Sequence, residues 1–478
     1  MLFNTLDFAL FLPIVFVLYW FVLYKNLQLQ NTLIVAASLI FYGWWDWRFL
    51  SLLVFSSLTD YCVGLGLLNE KNETKRKTLL SISILVNLSI LGFFKYYNFF
   101  VYNFISAFTW LGNPIHINTL DIILPVGISF YTFQALSYSI DVYRRKLEPT
   151  RNVISYLAFI SFFPQLVAGP IERATHLLPQ FYVKRNFDFI KAVDGLKQML
   201  WGLFKKVVIA DNCAQLANTI FDNSSHYSGS TLVAGAFFFA FQIYGDFSGY
   251  SDMAIGMARL FGFDLMRNFA FPYFSQDIAQ FWRRWNISLS TWFRDYVYIP
   301  LGGNNGGPWM TARNIAIIFL VSGFWHGANW TFIIWGALHA VYYLSLMLMN
   351  KNRINLDVAA HGKYLPSTKE FINILKTFSL VAFAWIFFRA ENVGHAFHYI
   401  NGIFSSTLFA IPEVAPLPIV ILIFVFISIE WLGREEQYAL SQLGMSWPQP
   451  IRYCLYFIIL ASIFVFAGSS QPFIYFQF

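Results

Sequence analysis

Stretches of about twenty mostly apolar residues recur from one end of this chain to the other, and a chain built that way has few folds open to it. A segment crossing the ~30 Å hydrocarbon layer must satisfy its own backbone, which leaves helices and closed barrels. The length of these stretches and their weak alternation fit helices, because barrel strands run about ten residues and alternate apolar with polar. Plausible spans lie near 6–24, 31–47, 50–68, 79–100, 121–141, 193–210, 232–258, 311–327, 329–349, 374–390, 417–432 and 453–471, about twelve in all. Composition closes the soluble alternative. The chain is 57% hydrophobic and 12% charged, with 55 Phe, 26 Tyr and 16 Trp, more than a water-facing surface could conceal. The expectation is an all-α polytopic membrane protein, a single integral membrane domain over residues 1–478 with no soluble domain left over.

The first apolar stretch, Leu6 to Tyr24, lacks a basic leader and a small-residue cleavage site, so it reads as a retained span. Cys62, Cys213 and Cys454 lie far apart, without the paired spacing of a metal site or a disulfide framework, so no metal is expected. The net charge of +7 is concentrated in short polar loops: Lys71 to Lys77, Arg144 to Arg151, Arg173 to Lys191 and Lys351 to Lys369. Placing these loops in the cytoplasm puts the N-terminus outside, along with the loops near 212–230 and 401–417. Charge so distributed serves topology and implies no nucleic-acid partner.

Two long regions, 142–192 and 259–310, mix aromatics, Pro and Arg in a way that neither a solvated loop nor a clean span would. They are expected to be re-entrant or interfacial, since irregular backbone is tolerated at membrane depth only against protein or beside a cavity. Pro164, Gly169 and Pro170 break the first of them, either as a cavity-lining interruption or as a simple helix-ending turn. Within 232–258 the run Gln242 to Asp252 is unusually polar. Asp246, Tyr250 and Ser251 cannot all face lipid, so they line an interior surface or bond to neighbouring helices. The run Phe281 to Gly303 sets Arg283, Arg284 and Arg294 among Trp282, Trp285, Trp292 and Tyr296, a pattern suited to interfacial anchoring or to clamping phosphates.

His326 stands in Val321-Ser-Gly-Phe-Trp-His-Gly-Ala-Asn-Trp330, and His339 follows thirteen residues later. An imidazole in apolar surroundings is either a satisfied core group or one kept for proton chemistry. Gly323 and Gly327 permit close approach, while Trp325 and Trp330 can wall a dry pocket in which neutral imidazole is a base. Neither HExxH nor GxSxG is present, which removes the common hydrolase designs.

The run Phe281 to Gly303 followed by Phe324-Trp-His-Gly327 resembles the membrane-bound O-acyltransferase (MBOAT) superfamily, within it the bacterial alginate O-acetyltransferase (AlgI-type) branch. The likeness extends to Met1-Leu-Phe-Asn4, Val126 to Tyr131, Gln165 to Pro170, Tyr244 to Tyr250 and Phe473 to Phe478. It implies a helical fold around a tunnel, with a catalytic core near 242–340. His326 would be the catalytic residue and Asn286 the second characteristic position; Trp325, Trp285, Tyr250, Asp246 and Ser290 would line the tunnel; Arg283, Arg284 and Arg294 would meet the donor's phosphates. The related D-alanyl transfer proteins usually carry His where this chain has Asn286, which favours O-acetyl transfer. No bound cofactor is implied: acetyl-CoA would be the donor substrate, and the acetyl group would pass to an extracytoplasmic polysaccharide such as alginate through a periplasmic partner with a Ser/His/Asp (SGNH) hydrolase-like domain. The resemblance places the chain in a bacterial inner membrane. D-alanyl or other acyl transfer to a cell-wall polymer or lipid is the alternative, and a solute transporter the reading from another class, motivated by the broken helices and buried polar residues.

Overall fold

The computed structural model describes residues 1–113, 115, 117–167, 169–468 and 471–474, and every regular element among them is helical. In chain order the helices are α1 Leu6–Val17, α2 Leu27–Asp46, α3 Leu50–Leu68, α4 Glu73–Leu91, α5 Tyr97–Trp110, α6 Ile128–Tyr143, α7 Val153–Ser161, α8 Phe163–Leu166, α9 Ala174–Leu177 and α10 Phe189–Phe204. They continue with α11 Asp211–Asp222, α12 Gly229–Leu260, α13 Ile278–Arg284, α14 Ile287–Phe293, α15 Gly307–His326, α16 Trp330–Leu348, α17 Thr368–Arg389, α18 Val393–Ile403, α19 Leu417–Leu432 and α20 Gln449–Val465. Many begin at a side-chain cap. Asn26 accepts from the Gln28 and Leu29 amides, Asn72 caps α4 in the same way, and Ser367 and Glu370 form a reciprocal capping box on α17.

Among the described residues five continuous helical stretches are long and apolar enough to cross a membrane: Leu27–Leu68, Glu73–Trp110, Gly229–Leu260, Trp330–Leu348 and Thr368–Arg389. They do not correspond one to one with the expected twelve. The first two are 42 and 38 residues long, nearly double the ~20 one crossing needs. Only a 3-10 turn at Trp47–Phe49 separates α2 from α3, which hydropathy counts apart as 31–47 and 50–68, while the expected span 79–100 runs across a π-turn at Gly92–Tyr96 into α5. The expected span 121–141 is helical only from Ile128, because the chain enters it through Pro125 and a left-handed Gly127. Leu6–Val22, Val153–Leu166, Leu417–Leu432 and Gln449–Val465 are apolar but shorter. Leu10, Phe21, Ile40, Leu85 and Phe100 are exposed on these helices, a surface for which lipid is the favourable solvent.

The chain divides into two compact units. The first comprises residues 1–192 and 257–266. Its polar centre is Asp60 of α3, which accepts hydrogen bonds from Ser83 and Asn87 of α4 and from Ser139 of α6, so three helices satisfy one buried carboxyl. In the interrupted region α7 stops at Ser161, α8 is a single turn starting beside Pro164, and α9 follows Pro170; position 168 lies outside the described residues. There the buried Glu172 accepts from His176 Nδ1 at 2.8 Å and from the Met266 amide, tying α9 to the turn after α12.

The second unit comprises residues 193–256 and 267–478. In it α10 and α12 meet backbone to backbone: a Cβ at Gly202 would lie 2.5 Å from the Gly249 carbonyl oxygen, and one at Gly256 2.3 Å from that of Gly195. Small residues at such spacing let helices approach in lipid. Beside this contact Lys206 Nζ stands 2.8 Å from both Asp211 and Asp246 and donates to the Gln471 carbonyl, while Asp246 accepts from the Ile474 amide at 2.7 Å. The polar run of α12 is thus spent on a buried cation and on the C-terminal segment, of which residues 475–478 lie outside the described residues.

Candidate active site

The site is built in the second unit from two chain reversals. The first joins α13 to α14. Asp277 caps α13 by accepting from the Gln280 amide at 2.7 Å, and Trp285 then leaves the helix in extended conformation. Asn286 turns the chain at φ 43°, ψ 57°, a left-handed conformation that Asn tolerates better than most residues. An Asn heading a helix ordinarily caps it with its own side chain. Here Asn268 does that instead, its carbonyl oxygen accepting from the Ile287 amide at 2.9 Å and its Oδ1 from Ser288 Oγ at 3.0 Å. The Asn286 amide is therefore left over. It is 1% exposed, and neither Oδ1 nor Nδ2 has a hydrogen-bond partner among the described residues. Burying an unsatisfied polar group costs on the order of 1–3 kcal/mol, an expense with no structural return at this position.

The second reversal joins α15 to α16. A Cβ at Gly323 would lie 2.3 Å from the Phe332 carbonyl oxygen, and one at Gly336 2.3 Å from that of Phe319, so only glycine lets the two helices close this far. Asn329 caps α16 by accepting from the Thr331 amide. His326 is the last residue of α15, 2% exposed, with ring centroids of Trp325, Trp335 and Phe388 at 5.0, 5.1 and 5.3 Å. Rings continue from there toward Asn286: Trp335 stacks on Trp385 at 5.5 Å, and Trp385 lies 5.2 Å from Trp285. These rings form one water-poor aromatic chamber that holds the His326 imidazole and ends at Trp285, the residue before Asn286.

A cavity of about 690 Å³ adjoins both reversals. Ser290, one turn past Asn286, and Ser322, one turn before His326, lie on its wall with Trp282 and Phe319. Ser322 and Phe319 are buried, whereas Arg294, Asn304, Asn350 and Arg353 on the same wall are exposed and mark its open end. The cavity is apolar within and carries two guanidinium groups where it opens, an arrangement suited to a ligand with an anionic head and a small uncharged tip.

Trp325 stands against His326, and the series of rings from His326 ends at Trp285, next in sequence to Asn286; Ser290 and Arg294 are on the cavity wall, whose lining does not include His326 or Asn286 themselves. It does not bring the other expected residues to that cavity. Arg283 donates to the carbonyls of Asn352 and Asn355 at 3.1 and 2.7 Å, holding the loop after α16, and Arg284 reaches the Ala270 carbonyl. Asp246 is engaged by Lys206, and Tyr250 packs on Phe473 at 4.5 Å. Conversely, Arg353, Trp335, Trp385 and Phe388 are site neighbours that sequence reading missed. Arg353 was visible only as part of a basic loop, and the aromatics stand in no motif that separates them from the many others in the chain. Among the described residues no three His, Cys, Asp or Glu side chains gather as a metal-binding set.

Residues 145–357, which include both reversals and the whole of the cavity wall, match the family model described as MBOAT, membrane-bound O-acyltransferase family. The chain is 38% identical over 493 residues to a protein of Pseudomonas putida named "Probable alginate O-acetylase AlgI", with 98% of each chain covered. It is 34% identical to the peptidoglycan O-acetyltransferase of Helicobacter pylori, covering 100% of this chain and 98% of that one. A more distant similarity, 28% identity over 55% of this chain and 68% of the other, links it to the teichoic acid D-alanyltransferase of Streptococcus thermophilus.

Proposed function

The chain belongs to the membrane-bound O-acyltransferase family as a multi-pass membrane O-acyltransferase, and on that premise we propose that it carries acetyl groups from cytoplasmic acetyl-CoA to an extracytoplasmic polysaccharide through a periplasmic hydrolase-like partner. What supports this reading is a buried imidazole, His326, and a buried amide, Asn286, whose two polar atoms have no hydrogen-bond partner among the described residues, each one turn from a serine on the wall of a cavity open at a basic end. The acetyl acceptors named for two relatives, alginate and peptidoglycan, are polymers. The placement in a bacterial inner membrane, with the N-terminus outside, belongs to the same proposal.

In this reading the donor's phosphates meet Arg294 and Arg353 at the open end, where the loop carrying Arg353 belongs to the basic segment assigned to the cytoplasm. Charge neutralisation there lets the thioester enter the apolar interior. His326 takes the proton from an acceptor hydroxyl as the oxygen attacks the acetyl carbonyl. The resulting oxyanion accepts a hydrogen bond from the Asn286 amide, which is already desolvated and fixed and so needs no reorganisation. Collapse breaks the C–S bond, and the departing thiolate takes the proton back from the imidazolium. Trp285, Trp325, Trp335 and Trp385 exclude the water that would otherwise hydrolyse the thioester.

The test is His326→Ala in cells that O-acetylate the polymer. Ester-linked acetate should disappear while the variant still accumulates in the membrane. Near-normal acetate in that strain, or D-alanyl ester in place of acetyl ester in the wild type, overturns the assignment.

A further inference from the structure

His339 has no part in the reaction just described, yet it is the other imidazole of the same chamber. It is fully buried on α16, and its ring lies nearly parallel to Phe281 and Phe319 at 6.3 and 6.4 Å, with Trp335 edge-on at 4.9 Å. Its Nδ1 is 3.2 Å from the indole Nε1 of Trp282. An indole nitrogen only donates, so Nδ1 accepts, and the proton of the neutral ring sits on Nε2. Nε2 itself is buried without a hydrogen-bond partner among the described residues. A phenyl ring would fill this space without leaving a buried N–H unsatisfied. What the imidazole adds over a phenyl is one directional bond, and that bond goes to a wall of the cavity: Trp282 lines it, 5.4 Å from Phe319 and 5.7 Å from Trp335.

We propose that His339 is a positioning residue for the acyl donor, fixing the Trp282 indole in the orientation that walls the inner part of the cavity. Trp335 extends the effect, because its ring is edged by His339 on one side and by His326 at 5.1 Å on the other. Without the bond, Trp282 is free to rotate about its side-chain torsions, and the surface against which the donor packs is no longer single-valued. The cost falls on donor binding before it falls on the chemical step. The inference rests on the assignment of the cavity to the donor.

Steady-state acetyl transfer by the full-length protein in membranes, measured against acetyl-CoA concentration, tests it. His339→Phe keeps the volume and removes the acceptor; Trp282→Phe removes the donor. Each should raise KM for acetyl-CoA about five- to tenfold, the scale of one net hydrogen bond, with a smaller change in kcat. The double variant should be no worse than either single, since both delete the same bond. His339→Asn, whose side-chain oxygen can stand in for Nδ1, should bring KM back toward wild type. Wild-type KM in His339→Phe, multiplicative effects in the double variant, or equal damage in His339→Asn and His339→Phe overturns the proposal. His326→Ala, run alongside, separates the two readings. If it is inactive while His339→Phe behaves as wild type, the positioning role alone fails. If it retains turnover, the assignment of the site fails and the positioning role with it.

Discussion

Asn286 does two things that one substitution can separate, because its backbone occupies the left-handed region while its amide has no hydrogen-bond partner among the described residues. Asn286→Gly tolerates the backbone at no steric cost and deletes the amide. Acetyl transfer should fall by roughly 10²–10³ in kcat, the usual effect of losing one oxyanion donor, with thermal unfolding near that of wild type. Asn286→Val removes the amide and adds strain, because a β-branched residue is a genuine outlier at positive φ. It should lower the unfolding temperature as well as activity, and equal stability of the two variants would show that the backbone conformation is not constraining. If the cavity holds the donor as proposed, Arg353→Gln at its open end should raise KM for acetyl-CoA with little change in kcat, since the guanidinium would meet the donor's phosphates alike in ground and transition states.

The α15–α16 hairpin carries the site because two glycines let it close. Gly323→Ala puts a methyl where the Phe332 carbonyl already sits, and overpacking of this kind costs about 1–3 kcal/mol. Activity should drop with the folded fraction, measured by thermal scanning in detergent, although no atom near the reacting groups is removed. In the first unit, outside the spanning helices, the hydrogen bond from His176 to the buried Glu172 carboxylate holds the imidazole pKa above its ordinary 6.5. A raised histidine stabilises the fold fully below its unfolded pKa and ceases to do so as pH climbs through the folded value. Wild type should therefore exceed His176→Gln in unfolding temperature at pH 6, with the gap closing toward pH 9. A gap that widens with pH would show that Glu172 is held by other means.

For the whole chain, orientation decides what the cavity can bind. The segments at 71–77, 144–151 and 351–369 are basic, and the last supplies Arg353 and Asn352 to the cavity wall. With Cys62, Cys213 and Cys454 replaced, single cysteines at positions 73 and 361 should resist a membrane-impermeant thiol reagent in intact cells and react once the cells are opened. Efficient labelling in intact cells would reverse the topology and put the cavity on the side that lacks acetyl-CoA.

The amino-acid sequence by itself determined the helical membrane class, because apolar runs of spanning length admit little else. The glycines and tryptophans around His326 also marked that residue, whereas Asn286 was marked only through the resemblance of its surrounding string to the MBOAT family. Only the tertiary structure decided which polar groups are spent and which are spare. Asp246 and Arg283 look as reactive on paper as Asn286, yet Lys206 engages the first and backbone carbonyls the second, whereas Asn268 takes over the capping role of Asn286 and leaves its amide without a hydrogen-bond partner among the described residues. Hydrogen-bond partners come from segments tens to hundreds of residues apart, and no local pattern records them. Span bounds shifted for the related reason that hydropathy registers apolar length, while a 3-10 turn that joins two helices or a left-handed glycine that delays one leaves that length almost unchanged.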